Sequence, residues 1–82
     1  MAEVRLRKAA IKQLAKLPKS EIVKVKRKLE EIALSPTSGK MLKGEYDGFY
    51  SYRAWPYRII YRFSHDAGVQ IYAIEHRQGV YK

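Results

Sequence analysis

The chain has 82 residues, no cysteine and a formal net charge of +9, from 17 Lys plus Arg against 8 Asp plus Glu. A chain this short is expected to form one domain over residues 1–82, burying only about 60–65% of its unfolded surface and marginally stable without a partner. The composition excludes disulfide staples, and two histidines, His65 and His76, do not make a metal cluster, so neither metal nor cofactor is expected. With no signal peptide and no apolar run near the roughly 20 residues of a membrane span, the sequence reads as cytoplasmic, and the positive surplus favours a polyanionic partner.

From the N-terminus, Val4 and Leu6 alternate with Glu3, Arg5 and Arg7, which suits one strand within Ala2 to Arg7. Lys8 to Leu17 carries Ala10, Leu14 and Leu17 at helical spacing with Ile11 alongside, and Pro18 stops it. Ser20 is placed to cap a second helix through Leu34, whose apolar stripe is Ile22, Val25, Leu29 and Ile32. The two helices form an αα-hairpin that needs a surface to pack on. Ser35-Pro36-Thr37-Ser38-Gly39 breaks the helix, and a loop runs on to Gly48 with Met41 and Leu42 as its anchors to the core.

The stretch Phe49 to Phe63 reads as two strands broken at Trp55-Pro56. Alternation puts Phe49, Ser51 and Arg53 on one face of the first. In the second, Tyr57, Ile59, Tyr61 and Phe63 share a face, with Arg58, Ile60 and Arg62 on the other. Such strands close a core on one side and offer guanidinium groups to an anion on the other. After the turn at His65-Asp66-Ala67-Gly68, Val69 to Glu75 is a last strand, followed by a polar tail through Tyr81. The expected fold class is α+β: a small antiparallel sheet with an N-terminal strand and the helical hairpin on one face, in the order β-α-α-β-β-β. The arginines would occupy the open face.

No Ser or Cys nucleophile motif and no phosphate-binding glycine loop is present. The titratable groups able to join the arginines are His76, Glu75 and Tyr81, with Glu45 and Asp47 further back in sequence. Arginines supply charge stabilisation for phosphodiester cleavage, and a histidine supplies proton transfer. Read plainly, strand arginines are surface residues, a lone histidine is structural, and the tyrosines are core or rim.

Four segments together resemble the RelE/ParE superfamily of toxin–antitoxin toxins, on its RelE-like branch: Leu42-Lys43-Gly44, Gly48 to Arg53, Tyr57-Arg58-Ile59-Ile60-Tyr61, and Ile74 to Tyr81. The resemblance implies a type II toxin, a metal-independent endoribonuclease that cuts mRNA in the ribosomal A site by attack of the ribose 2′-hydroxyl. It implies a cognate acidic antitoxin, with mRNA and ribosome as the other partners. It assigns catalysis to Arg58, Arg77, His76 and Tyr81, and substrate binding to Arg53, Arg62 and Lys43. Ser51 stands where the family has a basic residue, and the carboxylate base of a related branch falls near Lys40 or Met41, so the general base is unassigned. Two other readings remain: a ParE-like inhibitor of DNA gyrase without nuclease activity, and a non-enzymatic basic module that binds RNA or ribosome.

Overall fold

A computed structural model describes residues 2–76. Strand β1 (Val4–Leu6) leads into helix α1 (Lys8–Ala15) and helix α2 (Lys19–Leu34). Strands β2 (Lys40–Met41), β3 (Tyr50–Ala54), β4 (Tyr57–Ser64) and β5 (Gly68–His76) follow, with a 3₁₀ turn at Gly44–Tyr46 between β2 and β3. The strands form one sheet in the order β1-β5-β4-β3-β2. The expected α+β arrangement of helical hairpin and antiparallel meander is present, and β1 adds a parallel pair against β5. That crossover lets α1 and α2 lie across one face of the sheet.

The helix boundaries follow from backbone bonding. At the end of α1, Lys16 and Leu17 donate to the carbonyls of Gln13 and Leu14, and Pro18 has no N–H to continue the ladder. The Pro18 carbonyl then accepts the N–H groups of Glu21 and Ile22, so α2 begins at Lys19 with Pro18 in the cap position. Ser20, expected as the cap, instead lies inside the first turn. Proline wins because its fixed φ suits the helix entry and its missing N–H is lost at no cost there.

Ala10 from α1 and Val25, Leu29 and Ile32 from α2 pack on Ala54, Ile59, Tyr61, Val69, Ile71 and Ile74 from the sheet. Ile32 is fully buried, so Ile32→Ala would cost about 2–5 kcal/mol. Strict alternation along β5 would turn Ile74 away from this core. A register shift opposite Ile60/Tyr61 prevents it: Tyr61 pairs with Ile71 and Ile60 with Ala73, leaving Tyr72 as the extra residue. The bulge keeps both Ile71 and Ile74 inward. Past the end of β1, the Ile74 N–H is taken by the Gln13 side chain of α1 at 2.7 Å.

The loop after α2 is less regular than a plain connection. Met41, expected as an anchor, sits in the two-residue edge strand and is 60% exposed. Tyr61 anchors the loop instead. Its hydroxyl donates to the Pro36 carbonyl at 2.8 Å and accepts the Gly39 N–H at 3.2 Å. Burial raises the pKa of this phenol, with the Gly39 hydrogen bond opposing it. A Cβ at Gly39 would stand 2.6 Å from the Tyr61 oxygen, so only glycine permits so close an approach.

Candidate functional site

The helices cover one face of the sheet, and the opposite face carries the cations. Antiparallel partners lie on the same face, so the register fixes the neighbours. Arg53 is opposite Arg58, Ser51 is opposite Ile60, and Lys40 is opposite Ser51. Lys40, Leu42, Ser51, Arg53 and Arg58 line a depression of about 180 Å³. Like charges directly opposite one another destabilise a strand pair. An Arg–Arg partnership is therefore poor as a folding device and well suited to an oxyanion held between two guanidinium groups.

On the far side of β4, Arg58 has Glu75 of β5 as its register partner. A half-buried carboxylate thus shares the face and the row of the paired arginines. His76, the next residue, alternates to the helix side. Its register partner is Tyr57, and the two rings meet edge to face with centroids 5.4 Å apart. The sequence drew attention to His76 over Glu75; alternation from Ile74 inward would have separated them.

Arg62 lies on the same face as Arg58 but four residues along β4, roughly 13 Å at the usual strand rise. Its guanidinium stands over the Phe49 ring, 5.1 Å from the centroid. Lys43 is exposed in the loop just before the 3₁₀ turn. Arg77 and Tyr81 lie outside the described residues. The structure therefore brings Arg53 and Arg58 together, adds Lys40, Ser51, Leu42 and Glu75 to them, and separates Arg62. Lys40 was missed because its place depends on β2 pairing with β3, and a two-residue strand has no periodicity to read. Among the described residues, no group of three or more His, Cys, Asp or Glu is arranged to hold a metal ion, and no helix is long and apolar enough to cross a membrane.

Support for the site comes from the covered face. Tyr52, between Ser51 and Arg53, donates its hydroxyl to Glu31 of α2 at 2.7 Å. That bond is the main reason the Glu31 carboxyl is held below its ordinary value; Lys28 and Arg27 add to it, and partial desolvation opposes it. The same bond raises the Tyr52 phenol, and burial acts in the same direction. Lys24 of α2 donates to the Trp55 carbonyl at 3.0 Å, tying the helix to the turn between β3 and β4.

A family model for the ParE toxin of type II toxin–antitoxin systems, parDE, matches residues 4–81. The chain belongs to this toxin family, within the RelE/ParE superfamily. Among solved structures, the RelBE2 toxin–antitoxin complex of Mycobacterium tuberculosis is similar at 30% identity, with a TM-score of 0.84, covering 93% of this chain and 98% of the matched one. The intact RelBE complex of Escherichia coli matches at 20% identity and a TM-score of 0.77, covering 93% and 96%. The RelE–RelB complex of Pyrococcus horikoshii matches at 23% and 0.73, covering 93% and 94%. These last two likenesses establish the fold alone. No curated protein matches the sequence.

Proposed function

We propose that this toxin is an endoribonuclease that cuts mRNA at the ribosomal A site in the cytoplasm and is held inactive by an acidic antitoxin. The observation that carries the reading is the Arg53–Arg58 cross-strand pair, with Lys40 beside it, around a depression on the face that the helices leave open. The similarity to the Mycobacterium tuberculosis RelBE2 complex supports an antitoxin partner. The net charge of +9 supports a polyanionic substrate and an acidic keeper.

The chemistry is an in-line displacement within the RNA strand. The 2′-oxygen forms a bond to phosphorus as the bond from phosphorus to the 5′-oxygen breaks. One proton leaves the 2′-hydroxyl and one is delivered to the 5′-oxygen, leaving a cyclic phosphate and a free 5′-hydroxyl. Arg58 and Arg53 hold the non-bridging oxygens, where charge gathers in the transition state. Arg77 adds to that charge stabilisation and Tyr81 positions a base, both by resemblance. Glu75, on the face of Arg58, is the group that takes the 2′-hydroxyl proton; His76, turned to the helix side at the exposed end of β5, is the second candidate by resemblance alone. Lys43 contacts the phosphate backbone.

Primer extension on a translated message after induced expression tests the reading: new 5′ ends within codons support it. An intact message with gyrase supercoiling inhibited would overturn it in favour of a ParE-like poison, the branch whose name the matched family model carries.

A further inference from the structure

The open face has a second constellation at the end of the sheet away from Arg58. Four residues from four segments form a continuous row, two rings in contact with a cation at each end. Arg7, just past β1, stands over the Tyr72 ring, 4.9 Å from its centroid. Tyr72 meets Phe49 edge to face with centroids 4.9 Å apart and planes at 82°. Arg62 covers Phe49 in turn. The members are held in place. The guanidinium of Arg7 donates to Gln70 at 3.2 Å and to the Tyr72 hydroxyl at 3.3 Å. Gly48, at φ +92°, lies beside Arg62, at ordinary contact distance from its guanidinium. Tyr72 follows inward-facing Ile71 and so alternates onto this face.

An exposed cation over a ring contributes only about 0.5–1 kcal/mol to folding, so stability alone is a weak reason to assemble four such groups. Stacked rings and guanidinium planes at the edge of a basic surface are the apparatus that single-stranded nucleic acid uses, because every base has a π-face. At the same end of the sheet lies a depression of about 440 Å³, within the range of small-ligand sites. Arg62, Gln70, Tyr50 and Tyr72 are among its lining, and none of the described residues that line it is acidic. We propose that Arg7, Tyr72, Phe49 and Arg62 form a stacking subsite for an unpaired base of the same RNA strand whose phosphate lies at Arg58. The inference rests on RNA being the substrate. It gives the toxin a second grip on the strand, a short run of nucleotides from the cut, and makes binding depend on the length of exposed single strand.

The test is fluorescence anisotropy on the full chain with 2′-O-methyl oligouridylate, which cannot be cleaved, in a short form that spans only the Arg58 end and a longer form that reaches both ends. Wild-type protein should bind the longer probe more tightly. Arg62→Gln and Phe49→Leu should each weaken the longer probe about tenfold and leave the shorter unchanged, whereas Arg58→Ala should weaken both. Equal binding of the two probes by wild type, or equal losses on both in Arg62→Gln, overturns the proposal. Displacement of the longer probe by polyglutamate as readily as by unlabelled RNA would also overturn it, and would assign the surface to an acidic protein partner. Because the probe is inert, length-dependent binding in a protein that cuts no message would sink the nuclease reading and leave this one standing.

Discussion

The two ends of the open sheet face use the same residue type in opposite ways. At one end Arg53 and Arg58 face each other across β3 and β4, with a carboxylate on the neighbouring strand. At the other, Arg62 and Arg7 each lie on an aromatic ring. A guanidinium opposite another raises the local potential and gains most when an anion arrives. A guanidinium on a ring presents shape as much as charge. The first arrangement suits charge that develops during a reaction. The second suits a planar group that is there from the start.

That division predicts a hierarchy of effects. Arg58→Ala should slow single-turnover cleavage about a hundred- to thousandfold, the range seen when one donor to a developing oxyanion is removed, while Arg62→Gln should alter the same rate little at saturating RNA. If the two substitutions slow the chemical step equally, the face is one undivided site. Glu75→Gln and His76→Asn then divide the proton transfer, since the one that removes a limb of the pH–rate profile names the group.

Arg53→Ala sharpens the comparison from the side of stability. It removes one of two grips on the phosphate, for a loss of about tenfold or more in rate. It also removes the like-charge opposition to Arg58, worth a few tenths of a kcal/mol at an exposed, salt-screened position. Cleavage should fall while the thermal midpoint holds or rises. A variant that lost both would show that Arg53 serves the fold.

How much of this was legible in sequence varies with the range of the interaction. The arginine face could be read because a period of two fixes facing within a strand, and Arg53, Arg58 and Arg62 all obey it. The helical stripe of Ile22, Val25, Leu29 and Ile32 was legible for the same local reason. Lys40 was not, because its position is set by a pairing with Ser51. The aromatic end was invisible for a deeper reason. Tyr72 reaches the open face by plain alternation, but Arg7 meets it only because β1 pairs with β5, and Phe49 meets Arg62 only because β3 pairs with β4. Ser20 failed as a cap because a proline two residues earlier competed for the same role.

Support from beneath the face gives the next prediction. Tyr61 closes the loop that delivers β2, and with it Lys40, through both hydrogen bonds of its hydroxyl. Tyr61→Phe keeps the ring and its stacking on Tyr50 but strands the Pro36 carbonyl and the Gly39 N–H. The expected cost is about 1–2 kcal/mol, a thermal midpoint lower by roughly 4–16 °C for a chain of this size. Circular dichroism melting reads it directly, and an unchanged midpoint would mean that water replaces the phenol without loss.

The smallest effect concerns the bond between Tyr52 and Glu31, which ties β3 to α2 beneath the site. Glu31 is held below its ordinary value by that hydrogen bond first and by Lys28 and Arg27 after it. A depressed carboxylate contributes stability that is present above its unfolded pKa and lost as pH falls through the folded one. Tyr52 is raised, first by the same bond and then by burial. A raised phenol contributes stability that is present below its unfolded pKa and lost as pH rises through the folded one. The bond therefore stabilises a plateau bounded by carboxylate protonation on the acid side and phenol ionisation on the alkaline side. The melting difference between wild type and Tyr52→Phe should be constant across neutral pH and shrink at both ends. A difference that stays the same from acid to alkaline pH would place the effect of Tyr52 in its ring packing. The chemistry at Arg53, one residue on, would then owe nothing to the charge on Glu31.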